Sequence, residues 1–146
     1  MLTLNGLVFA GSCSKFLDKS PGSSEITAKV YVTIEFPGLF NHSLAQLDTG
    51  AAWSVLEPDI AEELNLFEGD GEWVEMRAHT GPVSGRLERV PVKLVAEEGE
   101  SLEIEATFLV SRHWNGKTFL GYTGFLDRVR IALDPGANLF YFGESE

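Results

Sequence analysis

Leu47-Asp48-Thr49-Gly50-Ala51 is the stretch whose residue types and spacing could do chemistry. It sets one carboxylate between an apolar strand end and a tight glycine turn, with a small residue next. A carboxylate held that way can share a proton with a second carboxylate and activate a water for attack on an amide. The chain carries the pattern once, so the second carboxylate is expected from a second copy of the chain. By average residue usage, an Asp-Thr-Gly triplet turns up in roughly a few per cent of chains this long. The triplet alone is therefore weak, and its surroundings decide the matter.

Period-two alternation dominates those surroundings. Ile26, Ala28, Val30, Val32, Ile34 and Phe36 share one face, with Thr27, Lys29, Tyr31, Thr33 and Glu35 on the other. Leu102, Ile104, Ala106, Phe108 and Val110 repeat the pattern, and so do Val90, Val92, Leu94 and Ala96. Half-buried strands read this way. Gly69-Asp70-Gly71 breaks the chain before a strand near Trp73 to Ala78. Thr80-Gly81-Pro82-Val83-Ser84-Gly85 reads as a glycine-bounded hairpin tip, Glu97 to Glu100 as a charged turn, and Asn115-Gly116 as a two-residue hairpin. Two short helices are expected. One starts at Pro58, whose fixed φ suits a first turn, with Asp59 and Glu62 near its positive end; the other lies near Gly124 to Val129. The segment Ser12 to Glu25 reads as a loop.

The sum is a single mostly-β domain, large enough at 146 residues for a real core. Its core spans about 26–143, with 1–25 as an N-terminal strand or loop extension. Eleven Lys and Arg against 22 Asp and Glu give a net charge of −11, which argues against nucleic acid and anionic membrane as partners. Cys13 is the only cysteine, so no internal disulfide can form. Leu7 to Ala10 leads towards Cys13 as a secretion signal would, but no Lys or Arg precedes it and glycines interrupt it. A cytoplasmic location is the expectation.

Four features stand in order: the Asp48 turn after Ala45-Gln46-Leu47; Ser54-Val55-Leu56 leading to a short helix; a glycine-bearing hairpin; and Phe119-Leu120-Gly121 before Phe125-Leu126 and a closing strand, Asn138 to Phe142. This order resembles the retropepsin-like aspartic proteases over roughly Ile26 to Gly143. The resemblance implies a closed β-barrel-like acid-protease fold in a two-fold homodimer, acting on a peptide or protein substrate without metal or other cofactor. Asp48 would be the catalytic residue, in an active-site turn with Thr49, Gly50 and Ala51. Thr49 would bond across to the partner's turn, and Gly50 would let the two backbones approach. Ala52 and Trp53, with the flap Thr80, Gly81, Pro82, Val83, Ser84 and Gly85, would meet substrate. Phe119, Leu120 and Gly121 would pack beneath the turn.

In such a dyad two close carboxylates share one proton. The ionised one takes a proton from water while the other donates to the carbonyl oxygen. Ala51 carries no hydroxyl where pepsin-type turns have Ser, so the pH optimum is expected to be less acidic than pepsin's. Retroviral enzymes usually carry an acidic residue after the turn and an Arg after the later glycine. Ala52 and Tyr122 stand there instead, so viral substrate preference does not carry over.

Other readings compete. The same fold could serve as a noncatalytic dimeric module binding a peptide or protein, or Asp48 could be a plain turn residue in a small acidic domain. Leu133-Asp134-Pro135-Gly136-Ala137 echoes the Asp48 segment, but Pro135 offers no hydroxyl and Asp-Pro-Gly is ordinary turn chemistry. Gly116-Lys117-Thr118 resembles the end of a phosphate loop without the glycine that should begin it. His42, His79 and His113 lack metal-ligand spacing, and no Gly-x-Ser-x-Gly elbow occurs.

Overall fold

The computed structural model describes residues 1–19, 29–78 and 81–145. Three short strands open the chain: β1 (Leu2–Leu4), β2 (Leu7–Ala10) and β3 (Ser12–Lys15). β4 (Tyr31–Glu35), β5 (Ser43–Leu47) and β6 (Ser54–Leu56) follow, then α1 (Pro58–Glu63) and a 3-10 turn, Leu66–Glu68. Next come β7 (Trp73–Ala78), β8 (Gly81–Leu94), β9 (Leu102–Val110) and β10 (Phe119–Leu120). A 3-10 turn at Leu126–Arg128 leads into β11 (Val129–Asp134) and β12 (Leu139–Glu144).

Seven strands form the main sheet, in the order β4-β5-β10-β6-β9-β8-β7. A second sheet runs β11-β12-β3, and β1 and β2 make a separate hairpin. The protein is thus mostly β, as the alternation requires. The expected closed barrel is corrected to a curled sheet. β4 touches β8 through only Ile34↔Leu94 and Glu35↔Lys93, while β7 remains as an edge. β8 is long enough to serve β7 with one half and β9 with the other, so no single ring of strands takes in every member.

Alternation becomes burial where expected. Val32, Ile34, Phe36, Val90, Val92, Leu94, Ile104, Ala106 and Phe108 meet Phe125, Phe140 and Phe142 in the main core. Each large side chain fully withdrawn from water there contributes roughly 1.5–3 kcal/mol. The alternation fails at the end of β9, where every residue from Ala106 to Val110 is buried. A second, smaller core on the other face takes the odd residues: Val55, Leu109 and Phe119 join Met76 and Val83 there. Their chain neighbours Leu56, Phe108, Val110 and Leu120 belong to the main core. β6, β9 and β10 are therefore sandwiched on both faces.

Several local expectations are corrected. Ser12 to Lys15 is a strand, because β12 pairs with it from Leu139↔Lys15 to Phe142↔Ser12; residues 20–28 lie outside the described residues. Gly81 to Gly85 is not a tip but the start of β8, paired to β7 from Ala78↔Gly81. Pro82 is tolerated there because β8 has only one neighbouring strand at that point. Thr80 and His79 lie outside the described residues. Asn115-Gly116 is no hairpin, since β9 and β10 are not partners; β6 stands between them. The helix at Pro58 forms as expected, with Asp59 in its first turn. The one near Gly124 shrinks to a 3-10 turn, because β11 already begins at Val129.

Candidate active site

The Asp48 turn links β5 to β6, and β10 is threaded between those two strands. β10 runs parallel to β5, with Phe119↔Gln46 and Leu120↔Leu47, and antiparallel to β6, with Phe119↔Val55. The turn is thereby held at one end by β10 and at the other by the segment that follows it. Asp48 N donates to Leu120 O at 2.9 Å. Tyr122 N and Thr123 N donate to Ala51 O and Ala52 O at 2.8 and 2.9 Å. Phe119, Leu120 and Gly121 thus lie beside the turn.

Gly121 has a physical reason to be glycine. A Cβ there would stand 2.3 Å from Trp53 O and 3.0 Å from Ala51 O, both backbone atoms. Gly121 N donates to the Ser54 hydroxyl at 2.9 Å, and Ser54 is wholly buried. A further pin holds the approach to β10. Thr118, also wholly buried, donates its hydroxyl to Glu57 Oε2 at 2.9 Å and accepts from Glu57 N at 3.1 Å. Sequence reasoning missed Ser54, Glu57 and Thr118. Hydroxyls and carboxylates usually face water, and nothing in their spacing marks Ser54 and Thr118 as buried or Glu57 as half-buried.

Within the turn, Asp48 is half-buried, and its Oδ1 accepts from Gly50 N at 3.0 Å. Ala51 N donates to Asp48 O at 3.2 Å and closes the turn. Thr49 is exposed, and among the described residues its hydroxyl has no protein partner. Gly50 contrasts with Gly121: a Cβ there would meet only Asp48 Oδ1, at 3.4 Å. Nothing among the described residues demands glycine at position 50.

Asp48, Gly50 and Ala51 border an open groove of about 530 Å³. Its other walls come from Lys29, Tyr31 and Gln46, from Met76 to Ala78 on β7, and from Trp114, Gly116, Lys117 and Phe119. The Trp114 indole donates to Lys117 O at 3.1 Å and packs edge-on to Phe119, ring centroids 5.6 Å apart. The β7–β8 hairpin does adjoin the Asp48 turn, but it lends β7 to the groove rather than the predicted Gly81 to Gly85. Val83 belongs to the small core, while Ser84 and Gly85 line a separate pocket with Trp73, Arg86 and His113. Trp53 packs on the small core, and Ala52 is exposed.

Ala52 and Tyr122, the two positions expected to lack the usual ion pair, are neighbours here. The backbone bonds already given join their segments, and no charge is stranded between them. Asp134 sits at the hairpin end of the other sheet, where its carbonyl accepts from Ala137 N at 3.2 Å. The Gly116-Lys117-Thr118 segment spends its groups on Trp114 and Glu57 and forms no phosphate cradle. Among the described residues no cluster of His, Cys, Asp or Glu could hold a metal ion, and no helix is long and apolar enough to cross a membrane. In comparisons with known proteins, no protein-family model and no curated protein matches the chain.

Proposed function

We propose that this chain is a retropepsin-like aspartic endopeptidase, active as a homodimer in which one Asp48 from each protomer forms the catalytic dyad. The observation that carries the reading is the clamped turn. β10 lies between the strands on either side of Asp48 and holds the carboxylate at the edge of a groove large enough for peptide side chains. Among the described residues, the space at Gly50 is open and the Thr49 hydroxyl is unpartnered, which supports it further, because a second copy of the turn could occupy the one and bond the other.

The chemistry follows from charge. Two carboxylates brought within hydrogen-bond reach keep one proton between them. The ionised member draws a proton from water as the oxygen attacks the amide carbon. The protonated member donates to the carbonyl oxygen, giving a gem-diol. The carboxyl that took the proton from water then passes it to the amide nitrogen while its partner takes a proton from a gem-diol hydroxyl, and the C–N bond breaks to release the amine.

Asp48→Asn tests the assignment against a peptide library. The amide keeps the shape of the turn and still accepts from Gly50 N, so circular dichroism and melting should be nearly unchanged. Cleavage should fall by at least about a thousandfold, as loss of a group central to catalysis does. Unchanged cleavage would defeat the assignment. Peptide binding without cleavage in the unmodified protein would favour the noncatalytic dimeric module instead.

A further inference from the structure

The groove beside Asp48 has the opposite charge character to the rest of the chain. Acidic residues outnumber basic ones two to one overall, 22 to 11. Among the described residues, the groove lining holds three cations, Lys29, Arg77 and Lys117, and a single acid, Asp48. They arrive from separate parts of the chain: the approach to β4, strand β7, and the loop before β10. All three are exposed.

These cations are not neutralising Asp48. Among the described residues, no ion pair involves Asp48, Lys29 or Arg77, and Lys117 has only Glu57 Oε1, 4.0 Å away. Lys29 and Arg77 are thus left without an acidic partner among the described residues. The same lining includes the apolar side chains of Met76, Trp114 and Phe119, which belong to or pack on the small core. In a protein of net charge −11, a local positive rim beside an apolar floor works against the long-range field. Such a rim favours negative groups close enough to the cations for local attraction to outweigh the long-range repulsion.

We infer that the groove takes peptide segments in which an apolar residue is flanked by Asp or Glu. The apolar side chain rests on Met76, Trp114 and Phe119, and the flanking carboxylates meet Arg77, Lys117 and Lys29. This specificity rests on reading the groove as a peptide site.

Two peptides that differ only in Glu or Gln at the flanking positions test it. The Glu peptide should be cleaved with about tenfold higher kcat/KM, the sum of a few exposed ion pairs. That advantage should collapse in 1 M NaCl, where the screening length falls to about 3 Å. The double variant R77E/K117E should lose the preference for Glu and favour a Lys-flanked peptide. Fluorescence anisotropy of the labelled peptides on D48N reads the same selectivity without turnover. Equal kcat/KM and equal binding for the Glu and Gln peptides, no binding of either, or selectivity unaltered in R77E/K117E would each overturn the inference. Selective binding of the Glu peptide by both D48N and the unmodified protein, without cleavage by either, would defeat the protease reading and leave the charge selection standing.

Discussion

A buried hydroxyl helps to fix the segment that braces the Asp48 turn. Ser54 Oγ is the acceptor for Gly121 N, and both residues are buried, so neither group can turn to water. Ser54→Ala leaves that N–H without a partner and is expected to cost about 1–3 kcal/mol. Urea denaturation should show a lower midpoint at an unchanged slope. Cys13 sits on the other side of the molecule's chemistry. Burial, followed by the hydrogen bond from its thiol to Glu98 Oε2 at 3.5 Å and that carboxylate's charge, pushes the thiol above its ordinary value of 9.0. A raised folded-state value favours the neutral thiol in the native protein. Stability from this group is therefore complete below about pH 9 and falls as pH rises through the higher folded value. Replacing Cys13 with Ser should lessen the loss of melting temperature between pH 8.5 and pH 10.5, on the order of the pH units flanking that value. An equal loss in both proteins would exclude the thiol as its source.

At the level of elements, the insertion of β10 between β5 and β6 makes the site. A two-residue strand has little stability of its own, and β10 is held by neighbours on both sides and by the Thr118–Glu57 pin at its entry. Two glycines test this arrangement in opposite ways. Gly121→Ala drives a Cβ into the Trp53 and Ala51 carbonyls and should destabilise the chain by roughly 1–3 kcal/mol or more. Gly50→Ala meets only Asp48 Oδ1 at 3.4 Å, so the single chain should keep its stability to within roughly 0.5 kcal/mol. If two turns meet across a two-fold axis, that same change should abolish cleavage. Paired urea curves and rate measurements separate the two effects.

For the molecule as a whole, the proposed dyad takes one Asp48 from each of two chains, which would make assembly part of the chemistry. Sedimentation equilibrium should give a mass that rises with concentration towards twice the 16.0 kDa of one chain. Specific activity should fall on dilution along the same curve. A strictly monomeric protein that still cleaves with full specific activity on dilution would rule out a shared dyad. With a net charge of −11 on each copy, association should strengthen as salt screens the repulsion between like chains.

Much of this was legible in the residues. Alternation placed Val32, Ile34, Phe108 and their fellows in the core, because a strand turns successive side chains to opposite faces whatever lies beyond it. Pro58 and Gly99 marked a helix start and a turn through their own backbone limits. The Asp48 turn and the apolar-apolar-glycine segment at Phe119 could be singled out by residue type. Their adjacency could not, because β5 and β10 are more than seventy residues apart and their pairing depends on strand order. Tertiary contacts also decided that Ser12 to Lys15 is a strand, that Gly81 to Gly85 extends β8, and that the barrel stays a curled sheet. They decided, too, that Arg77, Lys117 and Lys29 share one groove with Asp48. Local chemistry sets what a residue can do, while long-range pairing sets what stands next to it.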